Sequence, residues 1–224
     1  MNKAGCLLFL TFLIVSIIKV HTVQASINRL NYTCWMKVCR KKVRMNGIEL
    51  IKSRRSIRKY KDEKVDRELM KEVIELSAWA PSWANFQVAR YTLVDDDALI
   101  KRLATEGVNG FVYNKDTLTN AKGVAVLSYV KGKSGKVDKD EYVTSKANTW
   151  EIFDAGIACQ TFCLAAHAKG VGTVVMGIID DASISKIVDL PEDETVAALI
   201  VYGYPNEEAN TPPRLSVDEI ARFK

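Results

Sequence analysis

Apolar residues recur at helical spacing or in unbroken runs along most of the chain after position 46, and these patterns predict alternating helices and strands. Gly47 to Ser53 reads as a short helix with Ile48 and Ile51 on one face. A second helix is predicted to start at Val65-Asp66. Asp66 can cap it, Glu68 suits the positive end of the helix dipole, and Leu69, Val73 and Leu76 keep the spacing until Pro81 ends the run. Ala89 to Val94 reads as a strand, and Asp96 or Asp97 can cap a helix running through Ala104. Gly123 to Val130 is almost continuously apolar, the pattern of a buried strand.

Lys131 to Asp140 is rich in Gly and Lys, has no periodicity, and predicts an exposed loop. A helix of roughly twenty residues should follow, stopping at Lys169-Gly170 with a cationic last turn and a glycine. Val171 to Met176 reads as a strand, Asp181 to Val188 as a short helix and Thr195 to Tyr202 as another buried strand. Pro205, Pro212 and Pro213 break up the tail. Helices and strands are interspersed without strict βαβ alternation. The expected fold is therefore one α+β domain of three-layer α/β/α type, a mixed central sheet flanked by helices.

Composition fits a domain with a real core: of 224 residues, 48% are hydrophobic and 26% charged, too apolar for a disordered chain and too charged for a multi-span membrane protein. Charge changes the picture more. Residues 1–44 hold eight of the 32 Lys and Arg and no acidic residue. The other 24 basic residues face 27 acidic ones, a net of −3 for residues 45–224. The formal +5 of the whole chain thus belongs to a basic leader, and nucleic acid is not an expected partner of the domain behind it.

That leader places Lys3 before an apolar run from Ala4 to Ile18, then Val23-Gln24-Ala25 ahead of Ser26, the layout of a secretory signal. The run is shorter than the ~20 residues that span a bilayer, which makes an anchor the weaker alternative. Lys37 to Arg44 could lie on anionic lipid. Met45 opens a segment with the look of a natural start, so an over-extended start site is the third reading. The domain boundary is drawn between residues 44 and 45. The expected location of 45–224 is the cytoplasm, with export or membrane anchorage as the alternative if the leader is translated and kept.

Catalytic pairs are scarce. Of two histidines, His21 is in the leader and His167 sits in an apolar helix, where it reads as structural. Five Cys are too few and too odd for a disulfide scaffold. Cys34 and Cys39 have no partner pair for a zinc site, and Cys159 and Cys163 share a helix face as core thiols. No HExxH, GxSxG or Walker loop occurs. Reactivity would then come from a cofactor. Two clusters could hold one. Ser53-Arg54-Arg55-Ser56-Ile57-Arg58 concentrates guanidiniums and hydroxyls suited to a phosphate. Pro81-Ser82-Trp83-Ala84-Asn85-Phe86-Gln87 supplies amides that can read the edge of a planar heterocycle. Taken singly, each is equally an ordinary surface turn or loop.

The two clusters in this order, with one helix between, resemble the nitroreductase family of FMN-dependent oxidoreductases. The likeness continues through Asp154-Ala155-Gly156-Ile157-Ala158-Cys159-Gln160, Gly170-Val171-Gly172-Thr173, Leu190-Pro191-Glu192 and Val201-Tyr202-Gly203-Tyr204-Pro205. It covers Ile48 to the C-terminus and leaves out the leader.

The resemblance implies an intertwined homodimer with FMN at its interface and NADH or NADPH as electron donor. By residue, it implies that Arg54, Arg55 and Ser56 hold the phosphate and ribityl chain. Arg58 would sit by the N1/O2 edge of the flavin, where a cation suits the negative charge of the reduced ring. Pro81, Ser82, Trp83, Asn85 and Gln87 would reach the flavin from the partner subunit. Asn114 would meet the polar edge of the ring, the backbone at Met176 and Gly177 would face N5, and Arg214 would lie near the phosphate. The implied reaction is a ping-pong hydride transfer to nitroaromatics, quinones or similar planar electrophiles, with no catalytic side chain required and Trp83, Phe111, Tyr113 and Trp150 as candidate pocket walls. The sequence departs from the family pattern at Val88-Ala89, Pro212 and Thr117. Two alternatives stay open: a flavin-dependent reductive dehalogenase with Glu141, Tyr142 and Lys146 in its lid, and a non-catalytic FMN-binding redox module. A membrane partner is expected only if the leader is retained.

Overall fold

The computed structural model describes residues 46–137 and 141–224. The leader, with its signal and anchor readings and the proposed boundary at residue 45, lies outside the described residues. So does 138–140.

Seven α-helices and four strands follow in chain order among the described residues, with a 3-10 turn at Trp83–Asn85: α1 Gly47–Ser53, α2 Arg67–Ser77, β1 Ala89–Val94, α3 Asp97–Glu106, α4 Val112–Thr119, β2 Gly123–Val130, α5 Thr149–Ala168, β3 Gly172–Met176, α6 Asp181–Ile187, β4 Glu194–Gly203 and α7 Val217–Ile220. The caps anticipated from sequence are made. Asp66 accepts the Glu68 N–H at 3.2 Å and Asp96 accepts the Leu99 N–H at 2.9 Å, each satisfying a donor that the first helical turn leaves unpaired. α5 stops where Gly170 takes a positive φ of 80°, a conformation that side chains disfavour. α4 was not legible in the sequence because its apolar residues show no helical period. Only Leu118 and Thr117 of that helix are buried.

The strands form one sheet in the order β1-β2-β4-β3. All three ladders are antiparallel, and the mixed character expected of the sheet is confined to one parallel bridge between Ser56 and Thr173. Apolar runs in β2 and β4 reflect burial on both faces, which is common in parallel sheets but follows here from two covering layers. Val124, Val126, Leu199 and Val201 pack toward Ile100, Leu103, Leu118 and Ile184 of α3, α4 and α6. Ala125, Leu127, Ile200 and Tyr202 pack toward Met70, Val73 and Phe162 of α2 and α5. The three-layer α/β/α expectation is met by this α+β arrangement.

One loop differs from expectation. Residues 131–137 are not simply exposed, because Ser134 is fully buried. The segment is tied to α5: Ser134 Oγ donates to Asp154 at 2.6 Å and the Gly132 N–H donates to Glu151 at 2.6 Å. The carboxylates that hold it lie about twenty residues away in sequence, so nothing local announces the docking. No helix among the described residues is long and apolar enough to cross a membrane.

Candidate functional site

The basic segment after α1 runs along the end of the sheet as a strap. The Ile57 N–H donates to the Thr173 carbonyl at 2.9 Å and the Lys61 N–H to the Tyr204 carbonyl at 2.9 Å. Ile57 and Tyr60 turn inward and are buried. They fit because Gly172 and Gly203, paired across β3 and β4, carry no side chains. A Cβ on Gly172 would lie 2.8 Å from Ile57 Cγ1.

With its apolar residues inward, the strap leaves its arginines around a cavity of about 310 Å³, lined by Arg54, Arg55, Ser56, Arg58, Glu207 and Arg214 among others. The sequence-predicted phosphate group therefore assembles, Arg214 arriving from 156 residues beyond Arg58. Among the described residues none of these four arginines is in an ion pair. Arg55 is held by the frame: it donates to Thr211 Oγ1 at 3.1 and 3.2 Å and to the Lys52 carbonyl at 2.6 Å. Glu207, which the sequence reading missed, lines the same cavity with Glu208 but makes no ion pair with these arginines. Its carboxylate accepts the backbone N–H of Arg58 at 2.6 Å and of Lys59 at 3.1 Å. It shapes the strap, and unpaired guanidiniums around a cavity are the donor set of an anion site.

Beneath the strap lies a face of α5 carrying Cys159, Cys163 and His167 at successive four-residue steps. Ser53 Oγ and His167 Nε2 are 2.8 Å apart. The Ser53 hydroxyl donates to the Glu49 carbonyl at 2.6 Å. Burial, then the charges of Arg54 and Arg55, hold His167 below the ordinary imidazole value. A hydrogen bond from the Cys159 thiol to Cys163 raises the pKa of Cys159 and lowers that of Cys163. Both thiols are free, and among the described residues no cluster of His, Cys, Asp and Glu could hold a metal ion.

A second group forms where β3 ends. Met176 is buried in the core, whereas Gly177 is exposed with nothing within 4 Å of a Cβ placed on it. Asn114 Nδ2 donates to the Ile178 carbonyl at 3.1 Å and Asn109 Nδ2 to the Ile179 carbonyl at 2.9 Å. Asn114, Met176 and Gly177 are thus brought together, and the Gly177 backbone is open to its surroundings. Asn109 was not anticipated.

The loop after α2 is different in kind. Ala84, Asn85 and Gln87 have φ of 44°, 57° and 49°, the left-handed region that non-glycine residues disfavour by roughly 1–2 kcal/mol each, less for Asn. Ser82 Oγ accepts the Gln87 N–H at 2.8 Å. Strain of this kind persists only where neighbouring contacts fix it, and it gathers at functional sites. Pro81, Ser82 and Gln87 line a separate cavity of about 290 Å³ with Arg90, Tyr91 and Asp154. No residue is common to the two cavities. Within one chain the structure does not bring the 81–87 group to the arginines.

The candidate aromatics also divide. Trp83 and Trp150 meet at 5.0 Å between ring centroids, Phe111 and Tyr113 at 5.6 Å. Of the residues considered for a lid, Tyr142 is engaged by neighbouring segments: Lys136 Nζ lies 4.9 Å from its ring centroid, and Glu151 of α5 lies 3.5 Å from its hydroxyl. Glu141 and Lys146 are exposed.

Comparison with known proteins gives a consistent result. The model of the Nitroreductase family matches residues 51–106 and 109–204. An NADH dehydrogenase of Thermus thermophilus is 27% identical over 191 residues, covering 76% of this chain and 92% of that protein. An FMN reductase [NAD(P)H] of Bacillus subtilis is 27% identical over 183 residues, covering 77% and 72%. A solved structure of an FMN-dependent nitroreductase from Clostridium difficile superposes with a TM-score of 0.64 at 27% identity, covering 79% of this chain and 98% of that one.

Proposed function

The chain belongs to the nitroreductase family, and we propose that it is an FMN-dependent oxidoreductase that takes electrons from NADH or NADPH and passes them to planar electrophiles such as nitroaromatics or quinones. The observation that carries the reading is the cavity ringed by Arg54, Arg55, Arg58 and Arg214, with no ion pair to them among the described residues, in a chain whose relatives include an FMN reductase and an FMN-dependent nitroreductase. The donor set fits a phosphate monoester, and the open turn at Gly177 fits a flat ring.

FMN held here would supply the redox chemistry that links the nicotinamide to the acceptor, in a ping-pong cycle. The protein's residues bind and orient. Arg54, Arg55, Ser56 and Arg214 would hold the phosphate end. Arg58 would place a positive charge by the polar edge of the ring, and Asn114, which donates to the Ile178 carbonyl, would hold the 177–179 turn in place for it. No acid or base on the protein is needed.

The separation of the 81–87 loop from the arginines within one chain supports a homodimer in which Pro81, Ser82, Trp83, Asn85 and Gln87 complete the flavin site of the partner subunit. An absorbance spectrum of the protein purified without added flavin, followed under anaerobic NADH or NADPH, tests the reading. A flavin band that bleaches and returns when a nitroaromatic or quinone is added is the expected result. Bound flavin that never bleaches would point instead to a redox module, and protein that takes up no FMN would overturn the cofactor assignment.

A further inference from the structure

Asp154 lies on the inner side of α5 and is 3% exposed. Both its oxygens face the Trp83 N–H, at 3.0 and 3.2 Å, and one also accepts the Ser134 hydroxyl at 2.6 Å. Among the described residues no cation pairs with it. A buried carboxylate is costly unless donors compensate it, and here two neutral donors from two separate loops do so.

Those donors belong to a larger clasp. Trp83 Nε1 donates to the Lys136 carbonyl at 2.7 Å, two residues from Ser134, and its ring rests on Trp150. Trp83 is therefore fixed at its backbone by Asp154, at its indole by the 134–136 segment and at its ring by α5. The left-handed run Ala84, Asn85 and Gln87 follows at once. It has lower-energy extended conformations available, so its shape depends on what anchors Trp83.

We infer that Asp154 is a positioning residue for FMN: without touching the cofactor, its carboxylate clasps Trp83 to Ser134 and so sets the 81–87 loop in the form that receives the flavin of the partner subunit. This rests on the reading that the 81–87 loop contacts FMN. The requirement is for a charged acceptor, because hydrogen bonds to an ionised group are about twice as strong as neutral ones.

The test is an FMN titration of the flavin-free protein, read by quenching of flavin fluorescence, beside intrinsic tryptophan fluorescence and thermal unfolding of the flavin-free form. D154A should raise the FMN Kd about tenfold or more and shift the tryptophan emission. D154N keeps one acceptor oxygen for the Trp83 N–H but loses the charge, and should restore the affinity only in part. S134A, which leaves the Trp83 contact in place, should have the smallest effect. Folded D154A that binds FMN within twofold of wild type would overturn the inference. If D154A does not fold, the order of the other two decides: S134A weakening FMN as much as D154N also overturns it. Wild-type protein that binds no FMN fails the cofactor reading itself, an outcome separate from unchanged binding by the variants.

Discussion

Tyr60 lies with its ring directly on Gly203. A Cβ at Gly203 would stand 2.8 Å from Tyr60 Cδ1 and 3.0 Å from Cγ, inside any tolerable contact. The Tyr60 hydroxyl reaches back to the Ile57 carbonyl at 2.5 Å, and burial raises the pKa of that hydroxyl, keeping it a donor. The close approach lets the arginine strap lie flat on the sheet end. Gly203→Ala should destabilise the fold by about 1–3 kcal/mol through overpacking and weaken FMN binding as the strap lifts. Thermal unfolding and flavin titration of the variant check both; an unchanged FMN Kd would separate the strap's packing from the site.

Arg54 and Arg58 differ from Arg55 in making no side-chain hydrogen bond among the described residues, whereas Arg55 is held by Thr211 and the Lys52 carbonyl. Truncating either free guanidinium should therefore leave stability nearly unchanged while raising the FMN Kd by about tenfold or more, the scale of one charge-assisted bond. Arg55→Ala should lower the melting temperature as well. Parallel flavin titrations and melting curves distinguish the two kinds of arginine.

His167 makes the strap sensitive to acid. Burial first, then Arg54 and Arg55, depress its pKa below the ordinary 6.5, so the folded state favours the neutral ring. In the window from 6.5 down to the folded value the unfolded chain binds more protons, and stability falls as pH falls through it. His167→Gln should give a shallower loss of melting temperature between pH 7 and pH 5 than wild type. A phosphate group near Arg54 offsets the local positive charge, so saturating FMN should also flatten the wild-type profile. Identical slopes in all three samples would contradict this account.

The C-terminal segment leaves Leu215, Val217, Ile220 and Phe223 exposed, and α7 buries no residue. On α5, Ile152 and Phe153 are likewise exposed. Apolar surface of this extent suits association, and the proposed site needs two chains. Light scattering should give twice the 25.0 kDa chain mass. Ile220→Asp with Phe223→Asp should shift the mass toward one chain and lower FMN affinity together. A monomeric wild type that binds FMN tightly would rule out the shared site.

Much of this was legible in the sequence because it is local. Apolar periods fixed β1, β2 and the extent of α5, and capping aspartates at 66 and 96 marked where helices begin. The arginines of 54–58 and the amides of 81–87 each suited a ligand but taken singly were equally ordinary surface turns; only their order along the chain, through its resemblance to a family, pointed to one cofactor. Strand direction could not be read, because an apolar run reports burial on both faces and says nothing about which neighbour it pairs with. Tertiary structure decided the rest. It delivered Glu207 to the backbone of Arg58, set Gly172 and Gly203 beneath Ile57 and Tyr60, and let Asp154 join Trp83 to Ser134. Each of these joins groups tens to more than a hundred residues apart, and such contacts exist only once the chain has packed.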